Sequence, residues 1–160
     1  MADTTGSPHP ADEATLHIAA SPERVWNIVT DIASMGQLSP ECTGGMWLDG
    51  ATGPQVGARF KGRNRRGIAR WSTTNTVVTA DPMREFAFET KQSGTCWRYR
   101  MQADDGGTLV TESRAAFAER PLVARVFTKL ALGGVEEHDD ELRAGMVATL
   151  QRLKAVAEAS

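Results

Sequence analysis

Apolar residues recur at steps of three and four near the C-terminus, at Leu142, Met146, Leu150, Leu153 and Val156. This spacing puts them on one face of an α-helix, which we predict over residues 135–156. An earlier apolar stripe, which begins after Pro121, predicts a short helix, and Gly133-Gly134 separates it from the long one. A helix of roughly 30 Å needs a broad apolar surface on which to lie.

The N-terminal part of the pattern predicts one strand and two short helices. Alternating apolar and polar residues indicate a strand over residues 14–19. Ser21 and Pro22 suit the cap and the first position of a helix that follows directly. A second helical turn is expected at residues 34–38. It ends there because Pro40 disfavours a helical conformation in the residue before it.

From residue 41 onward, short alternating segments separated by turns predict about six antiparallel strands. The helix–strand alternation of a parallel sheet is absent from the sequence. In the segment 58–64, Phe60, Gly62 and Asn64 share one face, and basic residues occupy the other. We expect the basic face to be solvated rather than to bind nucleic acid, because few aromatic residues accompany it.

Two predicted hairpins have turns short enough to indicate which residues lie opposite each other. In the first, a two-residue loop at Ser93-Gly94 pairs large side chains on one face and opposite charges on the other. The pairs are Phe86 with Met101, Phe88 with Tyr99, Thr90 with Trp97, and Glu89 with Arg98.

In the second hairpin, a two-residue loop at Asp105-Gly106 places a carboxylate and a guanidinium on the aromatic face. The pairs are then Met101 with Val110, Tyr99 with Glu112, and Trp97 with Arg114. A loop of three or five residues would instead turn Thr111 and Ser113 inward and leave Glu112 on the outer surface. We favour the first register, with the second as the alternative that the pattern leaves open.

Length and composition narrow the class of protein. The 160 residues suffice for one domain, which we place at 13–158 after a flexible tail at 1–12. The 18 basic and 20 acidic residues nearly balance, and no apolar run could span a membrane.

Cys42 and Cys96 lack the spacing of metal ligands, which indicates reduced thiols in a cytoplasmic protein. The acidic residues around His138 suit a solvated first helical turn, so we expect no metal and no cofactor.

Several short motifs follow one another in a fixed order. They are Ala20-Ser21-Pro22-Glu23-Arg24-Val25-Trp26 with Asp31, Gly57-Ala58-Arg59-Phe60, Trp71, Asp81-Pro82, Phe86-Ala87-Phe88, Gly107-Thr108 and Thr111-Glu112. In this order the chain resembles the START-like, or helix-grip, superfamily, and more closely its polyketide cyclase/dehydrase and lipid-transport branch. The resemblance implies an α+β fold in which a curved antiparallel sheet of about six or seven strands wraps around the long C-terminal helix. It also implies a cavity between them, but no particular reaction.

The first functional hypothesis is a protein that binds or carries a hydrophobic or amphipathic small molecule, lipid- or polyketide-like, in that cavity. Thr73 and Asn75 near Trp71 favour a cavity, because a filled core rarely holds such polar residues. The residues expected to contact the ligand are Trp26, Leu38, Phe60, Asn64, Trp71, Phe86, Phe88, Trp97, Tyr99, Met101, Glu112, Leu142, Met146 and Leu150. The alternative is that these side chains simply fill a core.

The second hypothesis is an aromatase/cyclase- or dehydrase-type enzyme that acts on a polyketide-like substrate in the same cavity. Such chemistry needs acid and base groups in a dry pocket, and the candidates are Glu112, Tyr99 and Arg114. If Glu112 faces the cavity, it must be hydrogen-bonded, paired with Arg114, or protonated with a raised pKa, because a lone buried charge is costly.

Overall fold

The structure is a computed structural model that describes residues 12–117 and 135–159, with the side chains of the C-terminal helix described from residue 143. Residues 1–11 of the predicted tail, the predicted short helix after Pro121 and the break at Gly133-Gly134 lie outside the described residues. The last residue of the predicted tail, Asp12, is described and begins the first strand. The side chain of Leu142 also lies outside them.

Seven strands and three helices follow one another in the described ranges. The strands are β1 (Asp12–Ile18), β2 (Cys42–Trp47), β3 (Arg59–Arg66), β4 (Ala69–Asp81), β5 (Glu85–Thr90), β6 (Thr95–Asp104) and β7 (Gly107–Ala116). The helices are α1 (Pro22–Val29), the 3₁₀ helix α2 (Ile32–Gln37) and α3 (Val135–Glu158). The two short helices therefore follow the first strand, as predicted.

The strands form one antiparallel sheet in the order β1-β7-β6-β5-β4-β3-β2. Register shifts in β2 between Cys42 and Gly44, and in β4 between Val77 and Thr79, bend the sheet. The predicted α+β helix-grip architecture is confirmed, with a curved sheet and a long C-terminal helix. None of the helices in the described ranges is both long and apolar enough to cross a membrane.

Local sequence accounts for the start of α1 and for the tight packing of α2. The Ser21 hydroxyl accepts a hydrogen bond from the Arg24 amide, and Pro22 occupies the first turn. The 3₁₀ helix lies directly on β2 because Gly45 has no side chain. A Cβ at Gly45 would lie 2.8 Å from Ile32 Cγ2 and 2.9 Å from the Lys61 carbonyl oxygen.

The hydrophobic core lies where α1 and the C-terminal half of α3 meet the sheet. Trp26 packs edge-on against Phe86, with ring centroids 6.1 Å apart, and Phe86 is fully buried. From α3, Leu150 and Leu153 enter the same core, and Ala157 extends it toward the end of the helix. Full burial of a phenylalanine or leucine side chain contributes about 1.5–3 kcal/mol.

The predicted register of the β6–β7 hairpin is confirmed. Tyr99 lies opposite Glu112, and Trp97 lies opposite Arg114. The two-residue turn at Asp105-Gly106 has the glycine at φ 71°, a conformation that glycine adopts without steric cost. Glu112 therefore lies on the inner face of the sheet, not on the outer surface.

The predicted register of the β5–β6 hairpin is wrong by two residues. Phe86 lies opposite Tyr99, Phe88 opposite Trp97, and Thr90 opposite Thr95. The turn has four residues rather than two, and it closes with a hydrogen bond from the Gly94 amide to the Thr90 carbonyl. A shift of two residues keeps every side chain on its predicted face but changes all of its neighbours. Arg98 forms its ion pair with Glu85 instead of facing Glu89.

Candidate functional site

A pocket of about 810 Å³ lies between the inner face of the sheet, the chain at residues 39–43 and the described part of α3. Strands β3 to β7 all contribute to its wall. The volume is well within the range of about 300–1,000 Å³ that is usual for small-molecule sites.

The pocket exists because α3 presents small side chains at this level. The lining residues from α3 are Ala144, Gly145, Ala148 and Thr149, with Met146 as the one large side chain among the described positions. One turn further on, Leu150 and Leu153 fill the space between helix and sheet. The same helix thus closes the core with its C-terminal half and leaves a space beside residues 144–149.

Several aromatic rings line the sheet side of the pocket. Phe60 and Phe88 are in edge-to-face contact, with ring centroids 5.0 Å apart and an interplanar angle of 75°. Trp71 from β4 and Trp97 from β6 also line the pocket. Such rings offer flat apolar surfaces with preferred stacking and edge geometries.

A carboxyl group and a phenol lie together in this aromatic wall. The Tyr99 hydroxyl donates a hydrogen bond of 3.0 Å to Glu112 Oε1. Glu112 lines the pocket although only 3% of its surface is exposed. Its other oxygen, Oε2, is buried without a hydrogen-bond partner among the described residues.

Burial determines the protonation state of this pair. It raises the pKa of Glu112 to about 8, and the hydrogen bond from Tyr99 offsets only part of that effect. Burial, followed by the nearby Glu112 charge, raises the pKa of Tyr99 well above its ordinary value. At pH 7 the carboxyl group is therefore mostly neutral. Because Oε1 accepts from Tyr99, the carboxyl proton belongs on Oε2.

Arg114, the third candidate, is engaged elsewhere. Its guanidinium donates to Asp12 Oδ2 at 2.5 Å, and Arg143 of α3 binds the other oxygen of the same carboxylate. The paired cations lower the pKa of Asp12, although burial opposes them as the largest single contribution. The strand β1, the strand β7 and the helix α3 are thereby joined beside the pocket.

The predicted ligand-contacting residues fall into two groups. Those that line the pocket are Phe60, Asn64, Trp71, Phe88, Trp97, Tyr99, Glu112 and Met146. Those that belong to the hydrophobic core and do not line the pocket are Trp26, Leu38, Phe86, Met101 and Leu150. The two groups overlap, because Phe60, Phe88 and Tyr99 belong to the hydrophobic core and also line the pocket.

Other lining residues had no signal in the sequence pattern. They include Met35 of α2, Pro40 from the irregular segment before β2, Cys42 and Thr43 at the start of β2, and Ala144 and Gly145 from α3. Residues in an irregular segment have no periodicity from which a face could be predicted. Thr90 and Thr95 also line the pocket, and their adjacency depends on the register of the β5–β6 hairpin.

Comparison with solved structures supports the fold. The solution structure of the Polyketide_cyc-like protein Cgl2372 from Corynebacterium glutamicum is 32% identical, with a TM-score of 0.59 over 92% of this chain and 88% of that chain. The di-domain ARO/CYC StfQ from the steffimycin biosynthetic pathway is 15% identical, with a TM-score of 0.69 over 92% of this chain and 50% of that chain. Ms6760 from Mycobacterium smegmatis is 16% identical, with a TM-score of 0.61 over 90% of this chain and 88% of that chain.

Sequence comparison gives the family. None of the curated proteins is significantly similar to this chain. Residues 12–158 match the profile of the family described as polyketide cyclase / dehydrase and lipid transport, which is nearly the whole described fold. The chain therefore belongs to the polyketide cyclase/dehydrase and lipid transport family.

Proposed function

We propose that the protein binds an oxygen-bearing hydrophobic small molecule, of the polyketide-like kind, in the pocket between the sheet and α3. The observation that carries this proposal is the buried Glu112 Oε2, which has no partner among the described residues and belongs to a pocket-lining side chain. A buried polar atom left unpaired costs about 1–3 kcal/mol. A ligand oxygen that meets it would remove that cost.

The chemistry of the pair favours a neutral oxygen acceptor as the ligand group. With Tyr99 fixing Oε1, the neutral carboxyl group offers its proton from Oε2. A carbonyl or hydroxyl oxygen can accept this proton, whereas an apolar ligand of the same shape cannot. The rings of Trp97 and Phe88 would contact the faces of the ligand, so shape and aromatic contact supply most of the affinity.

Family membership is consistent with this proposal, and the fold shared with the di-domain ARO/CYC StfQ directs it toward polyketide-like molecules. A lipid-like ligand is the alternative, but its long flexible chain would make little contact with the flat faces of the aromatic rings. Mass spectrometry of the native protein after exposure to a cell extract would identify the class of molecule that it retains.

The proposal predicts a defined response to pH and to substitution of Glu112. 2-Acetylnaphthalene carries a ketone oxygen, and 2-ethylnaphthalene has nearly the same shape without it. We expect the ketone to bind about tenfold more tightly at pH 7, or about 1.4 kcal/mol. At pH 9 Glu112 is mostly ionised and cannot donate, so this preference should fall about tenfold. Calorimetric titration at both pH values measures it.

Two variants distinguish the hydrogen-bond donor at position 112 from the shape of the side chain there. Glu112→Gln keeps a neutral N–H donor and should retain the preference for the ketone at both pH values. Glu112→Leu removes the donor and should abolish the preference. Glu89→Gln on the outer face of β5 is the matched control and should behave as the wild type. Equal binding of the two compounds by the wild-type protein would show that Glu112 does not contact the ligand.

A second candidate function is cyclase-type catalysis, which the neutral state of Glu112 specifically favours. A positioned acid that donates to a carbonyl oxygen promotes enol formation, with the α-proton passing to water. The methyl protons of 2-acetylnaphthalene would then exchange with deuterium faster in the presence of the protein.

Proton NMR in D₂O tests this second function directly. We expect the wild-type protein to accelerate the exchange at pD near 7, and Glu112→Leu to lose the acceleration. If the wild-type protein binds the ketone but leaves the exchange rate unchanged, the protein is a binding protein and the enzymatic proposal is wrong.

A further inference from the structure

A row of hydroxyl and amide side chains crosses the inner face of the sheet, away from Glu112. Asn75 of β4 lies opposite Thr90 of β5, and Thr90 lies opposite Thr95 of β6. All three are buried and line the pocket. The Thr90 hydroxyl donates a hydrogen bond of 2.7 Å to Asn75 Oδ1, so the row is internally ordered.

Thr73 extends this row, and Gly62 leaves the space for it. Asn75 Nδ2 donates to Thr73 Oγ1 at 3.2 Å and to the Phe60 carbonyl at 3.4 Å. Thr73 lies opposite Gly62, where an added Cβ would come within 2.8 Å of the Thr73 hydroxyl oxygen. Any side chain at position 62 would therefore displace a hydroxyl that lines the pocket.

The hydroxyl groups in this row keep hydrogen-bonding capacity toward the pocket. Among the described contacts, Thr73 accepts one hydrogen bond and its own proton has no acceptor. The Thr95 hydroxyl reaches the Ser93 carbonyl only at 3.4 Å, a long and therefore weak bond. A threonine hydroxyl can donate one hydrogen bond and accept two, so both groups can bind a ligand hydroxyl or carbonyl.

The row is well separated from the carboxyl pair. Thr95 and Tyr99 lie on the same face of β6, four residues apart, which corresponds to ~13 Å along a strand. Trp97 lies between them on the same face, and Phe88 is directly opposite Trp97. The pocket thus has a polar region at each end and an aromatic section between them.

We propose that Thr73, Asn75, Thr90 and Thr95 form a second hydrogen-bonding subsite, and that the ligand is an elongated, flat molecule with an oxygen group at each end. This inference rests on the proposed function and specifies its substrate class. The subsite accepts groups that both donate and accept, such as a phenol, whereas Glu112 at the other end selects an acceptor. A lipid with a single polar end would satisfy only one of the two.

Calorimetric titration at pH 7 with two probes tests the inference. Naphthalene-2,6-diol carries a hydroxyl at each end, and 2-naphthol carries one. We expect the wild-type protein to bind the diol about tenfold more tightly than 2-naphthol. The double variant Thr73→Val, Thr95→Val keeps the shape of both side chains and removes both hydroxyls. It should lose most of the preference for the diol while binding 2-naphthol within about twofold of the wild type.

Thr74→Val is the matched control, because Thr74 lies on the same strand but on the opposite face of the sheet. It should keep the full preference for the diol. Equal binding of the two probes by the wild-type protein, or an unaltered preference in the folded double variant, would overturn the second subsite and leave the proposed function standing. If neither probe nor 2-acetylnaphthalene binds, the proposed function itself is wrong. Should the double variant fail to fold, the comparison of the two probes on the wild-type protein still tests the second subsite.

Discussion

The free energy of unfolding of the wild-type protein should fall as the pH rises from about 5 to 8. The native pKa of Glu112 is about 8 against an ordinary value of 4.5, because the carboxyl group is buried. Between these values the native state holds a proton that the unfolded chain has released, so unfolding releases a proton and higher pH favours it. The expected slope from this group is about 1.4 kcal/mol for each pH unit, and it disappears below and above that window.

Urea denaturation at pH 5, 6, 7 and 8 measures this slope. Glu112→Gln cannot ionise, so its stability should lack this component and should exceed that of the wild type most at pH 8. Glu89→Gln, on the outer face of β5, is the matched control and should keep the wild-type slope. Parallel pH profiles for the wild type and Glu112→Gln would show that Glu112 titrates normally in the folded state.

Replacement of Phe86 by alanine should destabilise the protein by about 3–5 kcal/mol. The ring is fully buried and contacts Trp26 of α1, with centroids 6.1 Å apart, and Phe88, with centroids 5.7 Å apart. Its removal leaves a hole where the sheet meets α1, and the surrounding strands can collapse only partly. Urea and thermal denaturation at one fixed pH give the change in stability.

Ile68→Ala is the matched control for this loss of apolar surface. Ile68 lies in the turn between β3 and β4 with its side chain fully exposed, so the substitution should change stability by no more than about 0.5 kcal/mol. A loss below about 1 kcal/mol for Phe86→Ala would contradict its placement in the core.

The sequence was most informative where a turn and a pattern agreed. Asp105-Gly106 predicted a two-residue turn, and that turn pairs Glu112 with Tyr99 in the structure. At Ser93-Gly94 the same reasoning failed, because the turn also includes Lys91 and Gln92. A glycine indicates that a turn is present but does not by itself fix the number of residues in it.

Because of this error in register, the sequence did not predict the polar row in the pocket. In the predicted register Thr90 faced Trp97 and contributed an isolated hydroxyl, whereas in the structure it faces Thr95 and joins Asn75 in a continuous polar row. The strand pattern predicts the face on which a side chain lies, and a shift of two residues does not alter that. It does alter which polar groups meet across neighbouring strands.

The sequence also could not separate core from pocket along one strand. Phe86 and Phe88 lie on the same face of β5 and both belong to the hydrophobic core, yet only Phe88 also lines the pocket. The difference depends on where α3 presents leucines and where it presents Ala144, Gly145 and Ala148. Periodicity reports a preference for burial, but it contains no information about which distant element lies above a given position.

The contrast along α3 between the small residues Ala144, Gly145 and Ala148 and the core residues Leu150 and Leu153 has an evolutionary consequence. Changes at positions 144, 145 and 148 alter the length and width available to a guest molecule without touching Leu150 or Leu153. Among the described residues, a Cβ at Gly145 would meet only Pro40 Cγ, at an ordinary 3.6 Å, so even the glycine can be replaced. For the proposed ligand, substitutions at these three positions would therefore change selectivity at little cost in stability, because none of the three belongs to the hydrophobic core.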